Sequence, residues 1–380
     1  MFNINVSAIK EIEAKVQENK DYISLSQGSI RVGGIPQQIK NYLKTILDTD
    51  KSDYYQSAWG IFELREKIAT HLSSSYDVQI LPKNVLVTHG CMGALSTIFL
   101  TILEPGDEVI IPEPNYPAYK NIIGVAKGIH KFVSCLNTDF SWNFDIEKIK
   151  KSVSNKTKAI VFSNPCNPTG YVVDKESIKE LAYFCESKKI YLIIDEAYCD
   201  YVFDCEFTSA VNFVKDYEFL ICARTFSKNF AMSGWRIGYM VVSDFMSNVF
   251  GATQDALLNC PNIIGQYAAS YAIDNQDHVK NFNSVINKNR DLAVSLLQNS
   301  KDFFNFSVPK ASFYLFLKTQ EKDSYDLCMN ILNFAKVGLI PGRAFGPSGK
   351  SYIRLCYARD ERILRDGINR ILEFIKTRSP

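Results

Sequence analysis

Seven short apolar runs, rich in β-branched residues and separated by helical stretches, constrain the fold of this chain more than any other feature. They lie at 84–88 (NVLVT), 108–112 (EVIIP), 130–135 (HKFVSC), 159–163 (AIVFS), 191–195 (YLIID), 219–223 (FLICA) and 237–242 (IGYMVV). Runs of this length bounded by turn residues read as strands, and their near-continuous apolar character fits strands covered on both faces. Helical patterns such as 175–188, KESIKELAYFCESK, fall between several of them. The alternation predicts an α/β fold: a mostly parallel seven-stranded sheet between helices.

The texture changes after Ile263. Residues 265–298 read as one or two long helices. Strand signals follow at 303–308, 313–317 and 352–356, and a last helix spans about 361–376. This predicts a smaller α+β domain. With 380 residues, two domains are expected: a large domain over 46–280 and a small one over 281–380, with an N-terminal segment, 1–45, packing on the small one. Residues 1–20 mix Lys10, Glu11, Glu13, Lys15, Glu18 and Lys20 with apolar residues, the pattern of an amphipathic helix and not of a signal peptide.

Charge excludes some partners. The 43 basic and 41 acidic residues leave a net charge of +2, which gives no reason to expect nucleic acid or an anionic membrane. No apolar stretch is long enough to span a bilayer. Ten cysteines are scattered without a CxxC pair, and four histidines are dispersed, so no metal site is expected. Buried free thiols fit a reducing cytoplasm.

Five segments carry chemistry, and each has a plainer alternative. In 225–239, TFSKNFAMSGWRIGY, Lys228 stands among Phe226, Phe230 and Met232. An amine in apolar surroundings has a depressed pKa and becomes a nucleophile for Schiff-base formation. Thr225, Ser227 and Arg236 could hold a phosphate beside it; the alternative is a polar loop with a solvated lysine. Asp195 ends the run YLIID, where open α/β sheets place ligands, with Tyr198 at the same rim. It could face a protonated ring nitrogen or merely cap a helix. The loop 164–170, NPCNPTG, is held non-helical by its prolines and could fix the Asn167 amide against a ligand, or be a plain turn. In 87–95, VTHGCMGAL, a strand enters Gly90 and a helix follows, and the free N–H groups at such a start favour a phosphate. Arg354 lies inside the apolar run 352–358, YIRLCYA, and needs a counterion: a substrate carboxylate or an internal acid.

As a set, in this order, these motifs resemble the fold type I pyridoxal-phosphate (PLP) enzymes, specifically the class I/II aminotransferases related to aspartate aminotransferase, from about Leu25 to about Ala358. The lysine segment is the most specific match, with NPCNPTG and IIDEAY beside it. The resemblance implies that Lys228 carries the cofactor as a Schiff base and shuttles a proton, and that Asp195 keeps the pyridine nitrogen protonated. It implies that Asn167 and Tyr198 bond the ring oxygen, and that Tyr116 of PEPNYPAY stacks on the ring. Thr225, Ser227 and Arg236, with the amides of Gly90, Cys91 and Met92, would hold the phosphate. Arg354 would clamp the substrate α-carboxylate, with Asn167 and Gly28 of LSQGS beside the substrate. Tyr55 would reach the phosphate of a neighbouring subunit, which implies a homodimer with shared sites.

The chain departs from the family pattern in three places. Thr225 stands where serine is commoner, Cys91 and Met92 replace small or basic residues, and 28–34 lacks the usual Pro-Asp/Asn-Phe element. The expected reaction is amino transfer between an L-amino acid and a 2-oxo acid by a ping-pong mechanism. The same cradle also supports a lyase, decarboxylase, cyclase or oxidase, or a non-catalytic ligand-binding module. A dicarboxylate substrate would need a second cation, for which Arg31 and Arg343 are candidates; aromatic residues equally permit a large apolar substrate. His89 is assigned a structural role.

Overall fold

The computed structural model describes residues 8–135 and 142–377; residues 1–7 of the N-terminal amphipathic segment lie outside that range. The chain opens with α1 (Ala8–Gln17), the short β1 (Ile23–Ser24), α2 (Gln37–Leu47) and α3 (Phe62–Tyr76). Then come β2 (Val85–Thr88), α4 (Gly90–Ile102), β3 (Glu108–Glu113), α5 (Ala118–Val125), β4 (Ile129–Ser134), α6 (Ile146–Lys151) and β5 (Thr157–Ser163). They are followed by α7 (Lys175–Lys188), β6 (Tyr191–Asp195), β7 (Leu220–Thr225), the single turn α8 (Phe226–Asn229) and β8 (Gly238–Val241). Every run read as a strand of the large sheet is one.

The sheet runs in the order β2-β8-β7-β6-β5-β3-β4. Strands β3 to β7 are parallel, and β8 is antiparallel to both β2 and β7. Its central strands are buried on both faces, which is why their sequences do not alternate. One core fills each face: Ile160, Phe162, Leu192, Ile194 and Cys222 on one side, and Val109, Val161, Ile193, Ile221 and Met240 on the other. Helix α7 starts where Asp174 accepts a hydrogen bond from Ser177 N at 2.8 Å, and it stops at Lys189 in a left-handed conformation. Parallel register places Ser163, Asp195 and Ala223 side by side at the carboxyl edge of the sheet. That edge is where ligands bind in such sheets.

Beyond β8 run α9 (Asp244–Leu258), α10 (Ile263–Asp274) and α11 (Asp277–Leu297), then β9 (Tyr314–Lys318), α12 (Tyr325–Asn330), β10 (Val337–Gly338), β11 (Ile340–Pro341), β12 (Tyr352–Cys356) and α13 (Glu361–Lys376). Strands β11, β12 and β9 form an antiparallel sheet, and β10 pairs with β1. The strand expected at 303–308 does not form. Its first residues finish the turn after α11, where Phe303 N donates to Ser300 O, and only Asn305 bridges Lys318. The described part of segment 1–45 contributes to both cores. Leu25 and Ile30 join the core of α11, β9, β12 and α13, but Ile39, Leu43 and Ile46 of α2 pack into the large-sheet core. The apolar stripe of α2 finds its partner on α10. Among the described residues no helix is long and apolar enough to cross a membrane.

Candidate active site

The carboxyl edge of the large sheet opens on a cavity of about 780 Å³. Three loops reach it because their strands end there: β5 delivers Asn167, β6 delivers Asp195 and Tyr198, and β7 leads into the turn that carries Lys228. The small sheet supplies Arg354 and Tyr314 from β12 and β9, and the stretch after β1 supplies Gly28.

Thr225 caps the lysine turn: its Oγ1 accepts from Ser227 N at 3.1 Å. Lys228 Nζ donates to Gly28 O and lies 5.8 Å from the centre of the Tyr198 ring. Burial pulls the amine's pKa down to about 8; the Arg354 guanidinium works in the same direction, against Cys356 and Asp195. Asp195, 4% exposed, has its carboxyl pushed up by burial, opposed by hydrogen bonds from Cys91 and Tyr119 and from the backbone of Ala197. Tyr119 Oη donates to Asp195 Oδ2 at 2.9 Å, and Ala197 N donates to Oδ1 at 3.0 Å. The acid is thus held at the cavity wall and not spent on a helix cap.

Across the cavity, Tyr198 Oη bonds Tyr314 Oη at 2.8 Å and accepts from Asn167 Nδ2 at 3.4 Å. Tyr116 lies on the same wall, edge-on to Tyr119. Arg354 is 1% exposed. Its Nη1 donates to Asn167 Oδ1 at 3.0 Å, Nη2 donates to Ser26 O, and Nε has no partner. The guanidinium stacks 4.3 Å over Tyr314 and 4.9 Å from Phe345. Among the described residues no carboxylate forms an ion pair with it, so the internal salt bridge open from the sequence is absent. A buried cation satisfied only by neutral acceptors is suited to an anionic ligand.

At the far end, α4 starts at Gly90 with φ +69, and Cys91 and Met92 of its first turn line the cavity together with Thr225 and Ser227. A Cβ at Gly90 would stand 2.7 Å from Arg236 Nη2. Arg236, itself at φ +59, is steered by bonds from Nη1 to Ser233 O at 2.8 Å and from Nη2 to His89 O at 3.4 Å. His89 precedes α4 and holds Arg236 through its carbonyl, a structural part.

The structure therefore gathers Gly28, Cys91, Met92, Tyr116, Asn167, Asp195, Tyr198, Thr225, Ser227, Lys228, Arg236 and Arg354 around one cavity, with Gly90 behind Arg236. It does not bring Tyr55 there: that side chain is 82% exposed. Arg31 faces Glu13 at 3.6 Å and Arg343 faces Asp323 at 3.3 Å; neither lines the cavity. Sequence reading missed Tyr119 and Tyr314. Tyr119 had a signal, standing three residues after Tyr116 in one helical turn of PEPNYPAY.

The aminotransferase class I and II family model matches residues 20–371. The aspartate aminotransferase of Sulfolobus acidocaldarius is 33% identical over 347 residues, covering 89% of this chain and 86% of the relative. Among solved structures, the Thermus thermophilus aspartate aminotransferase with maleate superposes with TM-score 0.90 at 28% identity over 97% of each chain. The aromatic aminotransferase of Pyrococcus horikoshii gives 0.88 at 29%, over 97% of this chain and 99% of its own. Enzymes of the aspartate aminotransferase type use pyridoxal phosphate. The cavity fits that group: a poorly hydrated amine, a buried acid held 2.9 Å from a tyrosine hydroxyl, and a helix start hemmed by hydroxyls and a guanidinium. On motif order, fold and cavity together, the chain belongs to the class I and II aminotransferase family.

Proposed function

We propose that this aminotransferase binds its amino acid with the α-carboxylate on Arg354 and Asn167, and that Lys228 is the proton carrier between the substrate Cα and the cofactor. The observation that carries the reading is Arg354: a buried guanidinium with no carboxylate partner among the described residues, lining the cavity that holds Lys228 and Asp195. Pyridoxal phosphate, when bound, supplies the electron sink for the bond broken at Cα. Asp195, its carboxylate steadied by the Tyr119 hydroxyl and the Ala197 amide, would hold the ring nitrogen's proton. Tyr198 and Asn167 would hold the ring oxygen, Tyr116 would pack on the ring, and the α4 start with Thr225, Ser227 and Arg236 would hold the phosphate. Lys228 takes a proton as a neutral amine and returns it as the ammonium. One amino acid leaves as a 2-oxo acid before the next 2-oxo acid enters, a ping-pong order.

The test is a panel of amino donors, acidic, aromatic and aliphatic, scored by conversion of the bound cofactor to its amine form. Conversion by at least one donor, with release of the matching 2-oxo acid, is expected; release of carbon dioxide or ammonia without that conversion would transfer the protein to another reaction class. The pH course follows from Lys228. Its neutral fraction grows as pH rises through about 8. Capture of pyridoxal phosphate by the cofactor-free protein should therefore speed up from about pH 7 to about pH 9 and then level, read from absorbance after mixing. A rate flat across that range would contradict the assignment.

The reading extends to a homodimer in the cytoplasm. Tyr54, Tyr55 and Phe62, within nine residues of sequence, are 66%, 82% and 59% exposed, rings that a partner subunit would cover. Tyr55 would reach the partner's phosphate site. Sedimentation at twice the chain mass is expected, and a monomer at micromolar concentration would rule this out.

A further inference from the structure

The segment from the end of β1, Ser24-Leu-Ser-Gln-Gly-Ser29, has its carbonyls taken up one by one, by two cationic groups of the site and by Arg359 and the Cys356 amide beside it. Ser24 O, Gln27 O and Ser29 O accept from Arg359 at 2.6, 2.6 and 2.8 Å. Ser26 O accepts from Arg354, and Gly28 O from Lys228 Nζ. Leu25 O accepts from Cys356 N at 2.8 Å. The position of this strip thus bears on where the Arg354 guanidinium and the Lys228 amine point.

The strip is fastened from behind by one carboxylate. Extended backbone puts Ser24 and Ser26 on the same face, with Leu25 turned into the core. Both hydroxyls donate to Glu13 Oε1. Glu13 sits on α1 and is 3% exposed; among the described residues Oε2 has no hydrogen bond, and Arg31 lies 3.6 Å from it. Burying a carboxylate is unfavourable unless it is bonded, and the bonds it makes here are to the strip. Helix α1 also reaches the cavity mouth, where Ile9 and Lys10 line it.

We propose that Glu13 is a positioning residue of the substrate-carboxylate site, acting through Ser24 and Ser26 on the strip that aims Arg354. This rests on the assignment of Arg354 above. It accounts for how a segment without the family's usual Pro-Asp/Asn-Phe element is held in place.

The experiment uses holoenzyme and two unreactive probes, maleate and 3-phenylpropanoate, titrated by calorimetry, alongside KM and kcat for one active donor. The probes share a carboxylate and differ elsewhere. Glu13→Ala should weaken both by about the same factor, on the order of tenfold, the loss of hydrogen bonds to a charged group, and raise KM with kcat within about threefold. Glu13→Gln keeps an acceptor for both hydroxyls and should bind within about threefold of the parent. Ser26→Ala, which leaves α1 untouched, should reproduce part of the loss and decides the matter if Glu13→Ala fails to fold. Unchanged probe affinity in folded Glu13→Ala and Ser26→Ala, or equal losses in Glu13→Ala and Glu13→Gln, would overturn the proposal. Arg354→Leu runs in parallel: if it abolishes binding while the Glu13 variants do not, only this inference falls; if it too is without effect, the carboxylate site itself is misassigned.

Discussion

Replacing Lys228 by alanine should lower turnover about 10⁵-fold and leave the fold intact. Two roles vanish together, the covalent hold on the cofactor and the proton transfer at Cα, and their loss is not additive. The fold has little reason to suffer. Lys228 Nζ makes a hydrogen bond to Gly28 O, and the amine is already disfavoured as a cation by burial. Thermal unfolding of the variant should therefore match or exceed that of the parent. The direct readout is intact mass after borohydride reduction. The parent should gain the mass of the reduced cofactor on the 226–229 turn, and the variant should gain nothing. Lys228→Arg should fail as well, because a guanidinium does not deprotonate in this range. Turnover retained by either variant would remove the amine from the mechanism.

The large sheet was legible because its central strands are buried on both faces, so each is a short apolar block bounded by turn residues. Helix α7 was legible from its helix-favouring Glu, Lys, Leu and Ala content. The segment 303–308 misled because Phe303, Phe304 and Phe306 have strand-like composition, yet a turn and a single bridge satisfy their backbone. Helix α2 packs into the large-sheet core, and an apolar stripe records that a helix is covered, not by what. In the site, motifs gave the residues that the chain brings to the sheet edge by local means: Lys228 on its capped turn, Asp195 at a strand end, Asn167 in its loop. What they could not give are partners joined only by tertiary pairing. Tyr314 meets Tyr198 because β9 pairs with β12, and Arg359 meets 24–29 across more than 300 residues of sequence.

Arg354→Leu is expected to reduce kcat/KM for amino acids about 10³-fold, mainly through KM, the scale for losing a buried, forked hydrogen-bonded ion pair. The geometry argues for loss of binding over loss of structure. Arg354 spends Nη1 on Asn167 and Nη2 on Ser26 O, has Nε free, and faces no acid among the described residues. A buried cation without an acid is a poor stabiliser, and an apolar side chain between Tyr314 and Phe345 is tolerated or better. Stability and binding should thus move apart: an unfolding temperature unchanged or raised, and carboxylate affinity lost. Arg354→Lys should recover little, since a single ammonium cannot bond Asn167 Oδ1 and Ser26 O while also meeting both oxygens of a carboxylate. If the leucine variant instead loses stability and keeps its KM, Arg354 is a framework residue, and the amino acid must be held by a different cation in the cavity.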